Sequence, residues 1–469
     1  MPRTILRDRR WDHLSDPANH IRSRGKGLPL PYGSKPRRRG FSQLLCRSLP
    51  SPRIILCLAL IASLLIFKVL ASGIPSTYQD IRKFERSLPQ HDLTEALRKG
   101  TLYLRVPKHV SGRGFNNVLQ ESLLLSYLAL QTRRAFVFEE YMWSRSPLPY
   151  TLYDFALRPS RMPLNAFVSG PIAGGHMPSP YSRAVSAEFW ETVCPPESRH
   201  IISSADQPSD ADGIVILDWW IERLEGIRDR CVEIDSEKII FDFLLFGDTR
   251  VLSLWQGLSD SPILKEFRWS SLVQSAIHHS LPIIDPASFR VALHADPSST
   301  LSGLVAVHLR RGDFKGHCQY LIRYNALYMG FNRFPEMLDK FTIPNERRKE
   351  NLQQYYLEHC FPDVDQIVEK LRQVRAANPG LKRVYALTNG KASWMSSLKR
   401  ALQEDGWRDV KSSLDLKLDS AQKHVAMAVD MAIAEKAEVF IGNGFSSLTA
   451  NVVVLRMAKG LASASNRLL

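Results

Sequence analysis

The run Leu304-Val305-Ala306-Val307-His308-Leu309-Arg310-Arg311-Gly312-Asp313 decides how this chain folds. Its first six residues are apolar or histidine without a period of two, the pattern of a strand covered on both faces, as in a parallel sheet flanked by helices. In open α/β sheets ligands sit outside the carboxyl ends of the strands, so side chains emitted from 308 onward face a cleft. Successive residues of an extended chain point to opposite sides, which sends Arg310 and Arg311 apart. One of them can offer a planar fork of donors to a diphosphate, while Asp313 fixes a guanidinium or caps the next turn. An ordinary surface salt bridge or a chance Arg-Gly-Asp tripeptide are the alternatives, and the position after a buried strand disfavours both.

Downstream, Val384-Tyr385-Ala386-Leu387 reads as a strand, Ala392 to Gln403 and Ala421 to Lys436 as helices, and Val439-Phe440-Ile441-Gly442 as a last strand. Ser446-Ser447 then caps a helix running to about Lys459. Upstream, Asp296-Pro297-Ser298-Ser299 marks a boundary. Before it, Leu102–Val106 reads as a strand, and a loop with Gly112 and Gly114 leads into a helix from about Val118 to Gln131. Ala135–Phe138 is a second strand. Met142 to His200 reads as a long loop rich in Pro, Gly and Ser, Gly213–Leu217 as a buried strand, and residues 263–280 as a helix. The fold expected is α/β, with two Rossmann-like domains over 101–297 and 298–469 facing each other across a cleft.

The 469 residues carry a net charge of +15, and its location removes the nucleic-acid reading. Residues 1–53 hold thirteen Lys and Arg against three Asp, so ten of those charges lie in a basic tail. Ile54 to Phe67 is uncharged, Lys68 can snorkel to an interface, and Pro75 closes the run. This predicts a signal-anchor helix over 54–71, a cytosolic tail over 1–53, and a polar stem over 72–100. A cleaved signal peptide is the alternative, with a leader unusually long for one. Cys194, Cys231, Cys318 and Cys360 follow the anchor and allow three pairings, of which the sequence-local one is expected.

Two further motifs carry chemistry. Phe440-Ile441-Gly442-Asn443-Gly444-Phe445-Ser446-Ser447-Leu448-Thr449 is a strand, a glycine turn and a helix start, where unpaired N–H groups favour phosphate. Gly112-Arg113-Gly114-Phe115-Asn116-Asn117 is a glycine turn opening a helix, without the third glycine of a dinucleotide fingerprint. Glu139, Glu140 and Asp218 follow expected strand ends and are possible bases, each more often a solvated carboxylate. Trp219-Trp220 reads as core before sugar platform. No set of residues has metal-ligand spacing.

Together the three motifs resemble the GDP-fucose-dependent fucosyltransferase superfamily, specifically its protein O-fucosyltransferase-like branch. The matching patches are Gly112–Asn117, His308–Asp313, and Asp430 followed by Ala437 and Phe440–Thr449, with nothing recognisable between 140 and 300. The resemblance implies a GT-B-like fold, with the C-terminal half holding GDP and the N-terminal half on the acceptor side. It implies metal-independent, inverting transfer of fucose from GDP-fucose to a protein or glycan hydroxyl, with no cofactor beyond that donor. By position, Arg310 grips the β-phosphate and takes up the charge on departing GDP. His308 contacts the nucleotide or orients Arg310, Asp313 supports this turn, Asp430 reads guanine or ribose, and Ser446 and Ser447 bind phosphate. Asn116 lies where the family lines the junction of donor and acceptor, and Gly114 of the same glycine turn is a further donor-binding candidate. A Golgi membrane enzyme, with the endoplasmic reticulum as second choice, is the implied setting.

Three departures stand against this background. Some relatives have a catalytic glutamate where this chain has Arg113, although another branch also carries arginine there. Thr388-Asn389 replaces a frequent Thr-Asp, and Leu448 replaces an aromatic found in some members. They keep a second reading open, a catalytically inactive GDP- or glycan-binding membrane protein on the same fold. A sulfotransferase is a third, with no phosphosulfate loop near the start of the domain.

Overall fold

The computed structural model describes residues 52–71, 73–107, 114–153, 155–235, 237–285, 300–312, 314–344 and 349–469. It divides into two compact units, Met1–Pro75 with Ser146–Ser160, and Ser76–Arg145 with Arg161–Leu469.

The smaller unit holds helix α1 (Pro52–Ala71) and an antiparallel ribbon in which Tyr150–Tyr153 pairs with Ala156–Pro159. Leu56, Leu60, Leu64 and Phe67 of α1 are exposed, and the Lys68 ammonium lies 4.8 Å from the centre of the Phe155 ring. Among the described residues no helix is long and apolar enough to cross a membrane. The expected span 54–71 falls on α1, where the side chains of Ile55, Leu70 and Ala71 lie outside the described set, as does the basic tail up to residue 51.

The larger unit is built on two parallel five-stranded sheets. The first contains β1 (Tyr103–Arg105), β2 (Ala135–Phe138), β3 (Val185–Ser186), β4 (Arg199–Ile202) and β5 (Cys231–Ile234), in the order β3-β2-β1-β5-β4. Tyr103 faces Ala135 on one side and Cys231 on the other. The second contains β6 (Leu301–Leu309), β7 (Arg383–Thr388), β8 (Asp409–Ser412), β9 (Ala437–Gly442) and β10 (Asn466–Leu468), in the order β8-β7-β6-β9-β10.

The apolar run that opens the sequence argument forms the centre of this second sheet. Val305, Val307 and Leu309 pack against α10 (Val364–Ala377) and α11 (Ala392–Glu404), through Leu371, Met395 and Leu398. Leu304 and Ala306 pack on the other face with residues of α12 (Ala426–Lys436) and α13 (Ser447–Ala458), Val429 and Val452 among them. Burying such side chains contributes roughly 1.5–3 kcal/mol each, which is why both faces of this strand had to be apolar.

That second face is continuous with the core of the first half, which includes α4 (Phe115–Gln131) and α7 (Ser271–Ile284). Polar ties cross the same seam. The Trp269 indole N–H donates to the Glu435 carboxylate, and Gln422 Nε2 donates to Ser275 Oγ at 3.0 Å. The two sheets are therefore held by a shared core.

Several expectations need correction. Gly213–Leu217 is the first part of helix α6 (Gly213–Glu225), not a strand. Ile216, Leu217, Trp220 and Leu224 are buried, whereas Ile214 and Val215 are exposed, a helical spacing that continues beyond the five residues read as a strand. Residues 76–100 are not a free stem. They form α2 (Gln79–Arg86) and α3 (Leu93–Arg98), and the hydroxyl of the buried Tyr78 donates to the Ala421 carbonyl at 2.8 Å. The segment read as a loop from Met142 holds β3, α5 (Ala187–Val193) and paired two-residue strands at Tyr141 and Arg161. The expected boundary at 296–299 lies outside the described residues. Cys194 pairs with Cys231 and Cys318 with Cys360, the sequence-local arrangement. The second bridge ties α8 (Phe314–Arg323) to α9 (Lys349–Cys360).

Candidate active site

In the second sheet the chain builds β6, β7 and β8 in one direction, then crosses back to place β9 and β10 on the other side of β6. The carboxyl ends of β6 and β9 thus flank a topological switch point, where such sheets leave a crevice for ligands. His308, Arg310, Gly442 and the turn to α13 all lie there.

The two arginines part as their alternation requires. Arg311 turns to the side of α10 and α11, where its guanidinium lies 4.4 Å from the Phe361 ring centre and 4.2 Å from that of Trp394. Its Nη2 donates to the Pro362 carbonyl at 2.5 Å, and burial pulls its pKa down to about 10. Arg310 stays half-exposed on the other side, its guanidinium 5.8 Å from the Phe314 ring centre. The Gly312 turn between them has φ +64°, a backbone region that suits glycine. Asp313 and Arg113 lie outside the described residues.

His308 is 4% exposed and sits beneath α13, its Nδ1 3.1 Å from Thr449 Oγ1. Burial, and then the Arg310 charge, lower its pKa to about 3, so the ring is neutral at physiological pH. Its visible work is to hold the first turn of α13. At that turn the Ser446 hydroxyl accepts from the Leu448 N–H at 3.2 Å, a capping bond that fixes the helix start. Ser446 and Ser447 remain partly exposed. Asn443 is fully buried and donates to the Cys360 carbonyl at 2.7 Å, so it shapes the turn and does not face the crevice.

Asp430 comes from α12. Its Oδ1 accepts from the Tyr385 hydroxyl at 2.6 Å and its Oδ2 from Ser413 Oγ at 2.9 Å. Burial raises its pKa to about 7, against the lowering by these two hydrogen bonds. Neither Tyr385 nor Ser413 was singled out from the sequence, although a tyrosine in an aliphatic buried strand signals a hydroxyl that needs a partner.

Asn116, in the first turn of α4, reaches the second half of the chain. Asn451 Nδ2 donates to its backbone carbonyl at 2.9 Å and its Oδ1 at 3.2 Å, and its own Nδ2 lies 2.9 Å from Met427 Sδ. Gly114, the residue before α4, is exposed, and a Cβ there would meet no atom within 4 Å.

The departures and the possible bases also find places. The Asn389 side-chain oxygen accepts from the Arg311 N–H at 2.7 Å, a bond that an aspartate in its place could also make. Leu448 is buried in the core. Glu139 is bound by Arg105 at 3.1 Å, and burial raises its pKa. Glu140 pairs with Arg82 at 2.6 Å. Asp218 is exposed on α6 and does not end a strand. Trp220 is fully buried and donates to Gln207 at 3.0 Å, a core residue as expected. Among the described residues no group of three His, Cys, Asp or Glu could hold a metal ion.

Comparison with known proteins adds a family to this geometry. POFUT1 in complex with GDP is 16% identical, with 79% of this chain and 98% of that chain covered and a TM-score of 0.48, and its complex with GDP-fucose gives the same figures. A FUT1 variant from Arabidopsis thaliana in complex with GDP is 11% identical over 81% of this chain and 78% of its own, with a TM-score of 0.37. A search of curated proteins finds no match. Residues 263–459, which contain β6, α12, β9 and α13, match the model of the GDP-fucose protein O-fucosyltransferase family. Over this segment, and not over the whole chain, the protein carries a domain that matches the GDP-fucose protein O-fucosyltransferase family.

Proposed function

We propose that the chain transfers fucose from GDP-fucose to a hydroxyl of a protein or glycan, without a metal and with inversion at the sugar carbon, on a GT-B-like arrangement of its two halves. The observation behind this reading is that Arg310 follows β6 and the α13 start follows β9, neighbouring strands at the switch point of one sheet, within the matched family segment.

A diphosphate laid against the start of α13 meets the partial positive charge of that helix end and the hydroxyls of Ser446 and Ser447. Arg310, half-exposed beside it, supplies a delocalised cation to the oxygen that becomes negative as the sugar leaves. Stabilisation of that charge is the largest contribution such a site makes. Arg311, one residue on, is committed to Phe361 and Trp394 and keeps the turn rigid. Asp430, its carboxyl already oriented by Tyr385 and Ser413, has lone pairs left for guanine or ribose donors. Asn116 reaches the same seam from the acceptor side. Glu139 and Glu140 are tied to arginines, so neither is assigned as the base.

A Golgi membrane location, with α1 as anchor and the folded unit in the lumen, is part of the proposal. The two disulfides support an oxidising compartment. The inactive-binder reading has one observation behind it, the buried Leu448, which offers no ring to a base.

The test is thermal unfolding of the full chain with GDP, GDP-fucose, GDP-mannose and UDP. GDP and GDP-fucose should stabilise it, by about 2.7 kcal/mol at a hundredfold excess over Kd. Stabilisation by UDP and not by GDP would overturn the family-based donor.

A further inference from the structure

The surface of α8 carries a line of rings that the donor site does not use. Phe314, under the Arg310 guanidinium, lies 4.9 Å from His317, centre to centre. His317 lies 6.2 Å from Tyr320 with the rings 17° from parallel, and Tyr320 lies 4.4 Å from Tyr324. The spacing of three residues puts Phe314, His317 and Tyr320 on one stripe of α8, and Tyr324 follows in the turn just past its end. His317 and Tyr324 are exposed and Tyr320 is half-buried. Ten residues of helix carry the line about 15 Å away from the crevice.

Beside this stripe the Cys318–Cys360 bridge fixes α8 against α9, and a groove of about 530 Å³ runs next to it. Lys315, Glu350, Gln354, Glu358 and Asp363 line the groove together with the apolar Leu357. The line of rings begins at Arg310, and the groove beside Lys315 of the same helix offers amides and carboxylates.

We infer that α8 is the track on which a neutral glycan acceptor lies, with Tyr320 and Tyr324 as its stacking platform. This rests on the donor reading of the Arg310 crevice. A pyranose ring has an apolar C–H face and a rim of hydroxyls. The first suits aromatic rings that keep a polar tip in water, and the second suits the amides and carboxylates of the groove. The excess of carboxylates over Lys315 disfavours an acidic ligand. Held by a helix and a disulfide, the track is ordered before the ligand arrives, which lowers the cost of binding.

The experiment compares the full chain with a Tyr320→Ala/Tyr324→Ala double variant and a Tyr320→Phe/Tyr324→Phe double variant. The probes are an array of neutral oligosaccharides of two to six pyranose units and an array of unglycosylated peptides, with the GDP-induced thermal shift measured on every variant. The wild type should bind oligosaccharides. The alanine pair should weaken that binding by roughly ten- to a hundredfold, about tenfold for each stacked ring. The phenylalanine pair should retain it, and the GDP shift should be the same in all three. No oligosaccharide binding by the wild type, equal binding by the alanine pair, or binding confined to peptides would overturn the inference. Ring-dependent oligosaccharide binding without any GDP shift would overturn the donor reading and leave the glycan track standing.

Discussion

Arg310 and Arg311 are adjacent in sequence and opposite in task, and the difference lies in what surrounds each guanidinium. Arg311 is 5% exposed between two aromatic rings and a carbonyl, so its removal leaves a hole and unpaired groups. Arg311→Ala should cost about 2–4 kcal/mol of stability by chemical denaturation, and Arg311→Lys should not restore it, because an ammonium cannot lie flat between rings. The sequence already required the two side chains to diverge, since a strand alternates. It could not say which one packs, because Phe361 and Trp394 come from segments fifty or more residues away. The same holds for His308: its place at the end of a buried strand was legible, its burial under Thr449 was not.

The elements around the crevice show where glycine is required and where it is not. A Cβ on Gly442 would stand 2.0 Å from Thr449 Cγ2, against the side chain that meets His308. Gly442→Ala should therefore lose about 1–3 kcal/mol and weaken GDP binding, because β9 and α13 must move apart. Gly114 has a φ of −63° and open space around it, so in Gly114→Ala the lower unfolded-state entropy and the poorer helix cap offset each other and stability should change by less than about 1 kcal/mol. Any fall in transfer by that variant would report the close approach of a substrate. Denaturation midpoints and GDP titrations on both variants check the pair. The strand, glycine turn and capped helix at 440–447 were readable because cap, turn and apolar run agree. Gly213–Leu217 was misread because five apolar residues fit a strand or a helix, and only the spacing through Trp220 and Leu224 decides. The 76–100 segment was misread as a stem because its charged residues dominate the composition, while Tyr78 and Leu88 anchor it in the core.

For the molecule as a whole, two desolvated carboxyls in different halves contribute to the pH dependence. Burial raises Asp430 to about 7 and Glu85 to about 7, the latter against hydrogen bonds from Asn165. Each acid binds its proton more tightly folded than unfolded. The stability each contributes is complete below about pH 4 and is lost as pH rises through about 7. Measured against the wild type, the melting temperatures of Asp430→Asn and Glu85→Gln should therefore rise relatively between pH 5 and pH 8, the buried His308 acting in the opposite sense in all three proteins; a difference that falls over that window would contradict the assignment. The central claim is that Arg310 stabilises the leaving diphosphate in the switch-point crevice. Its most direct test is GDP release from GDP-fucose by the full chain and by Arg310→Ala, with unfolding measured on both. The account predicts a loss of about 10²–10³ in turnover at unchanged stability. Turnover equal to that of the wild type would contradict it.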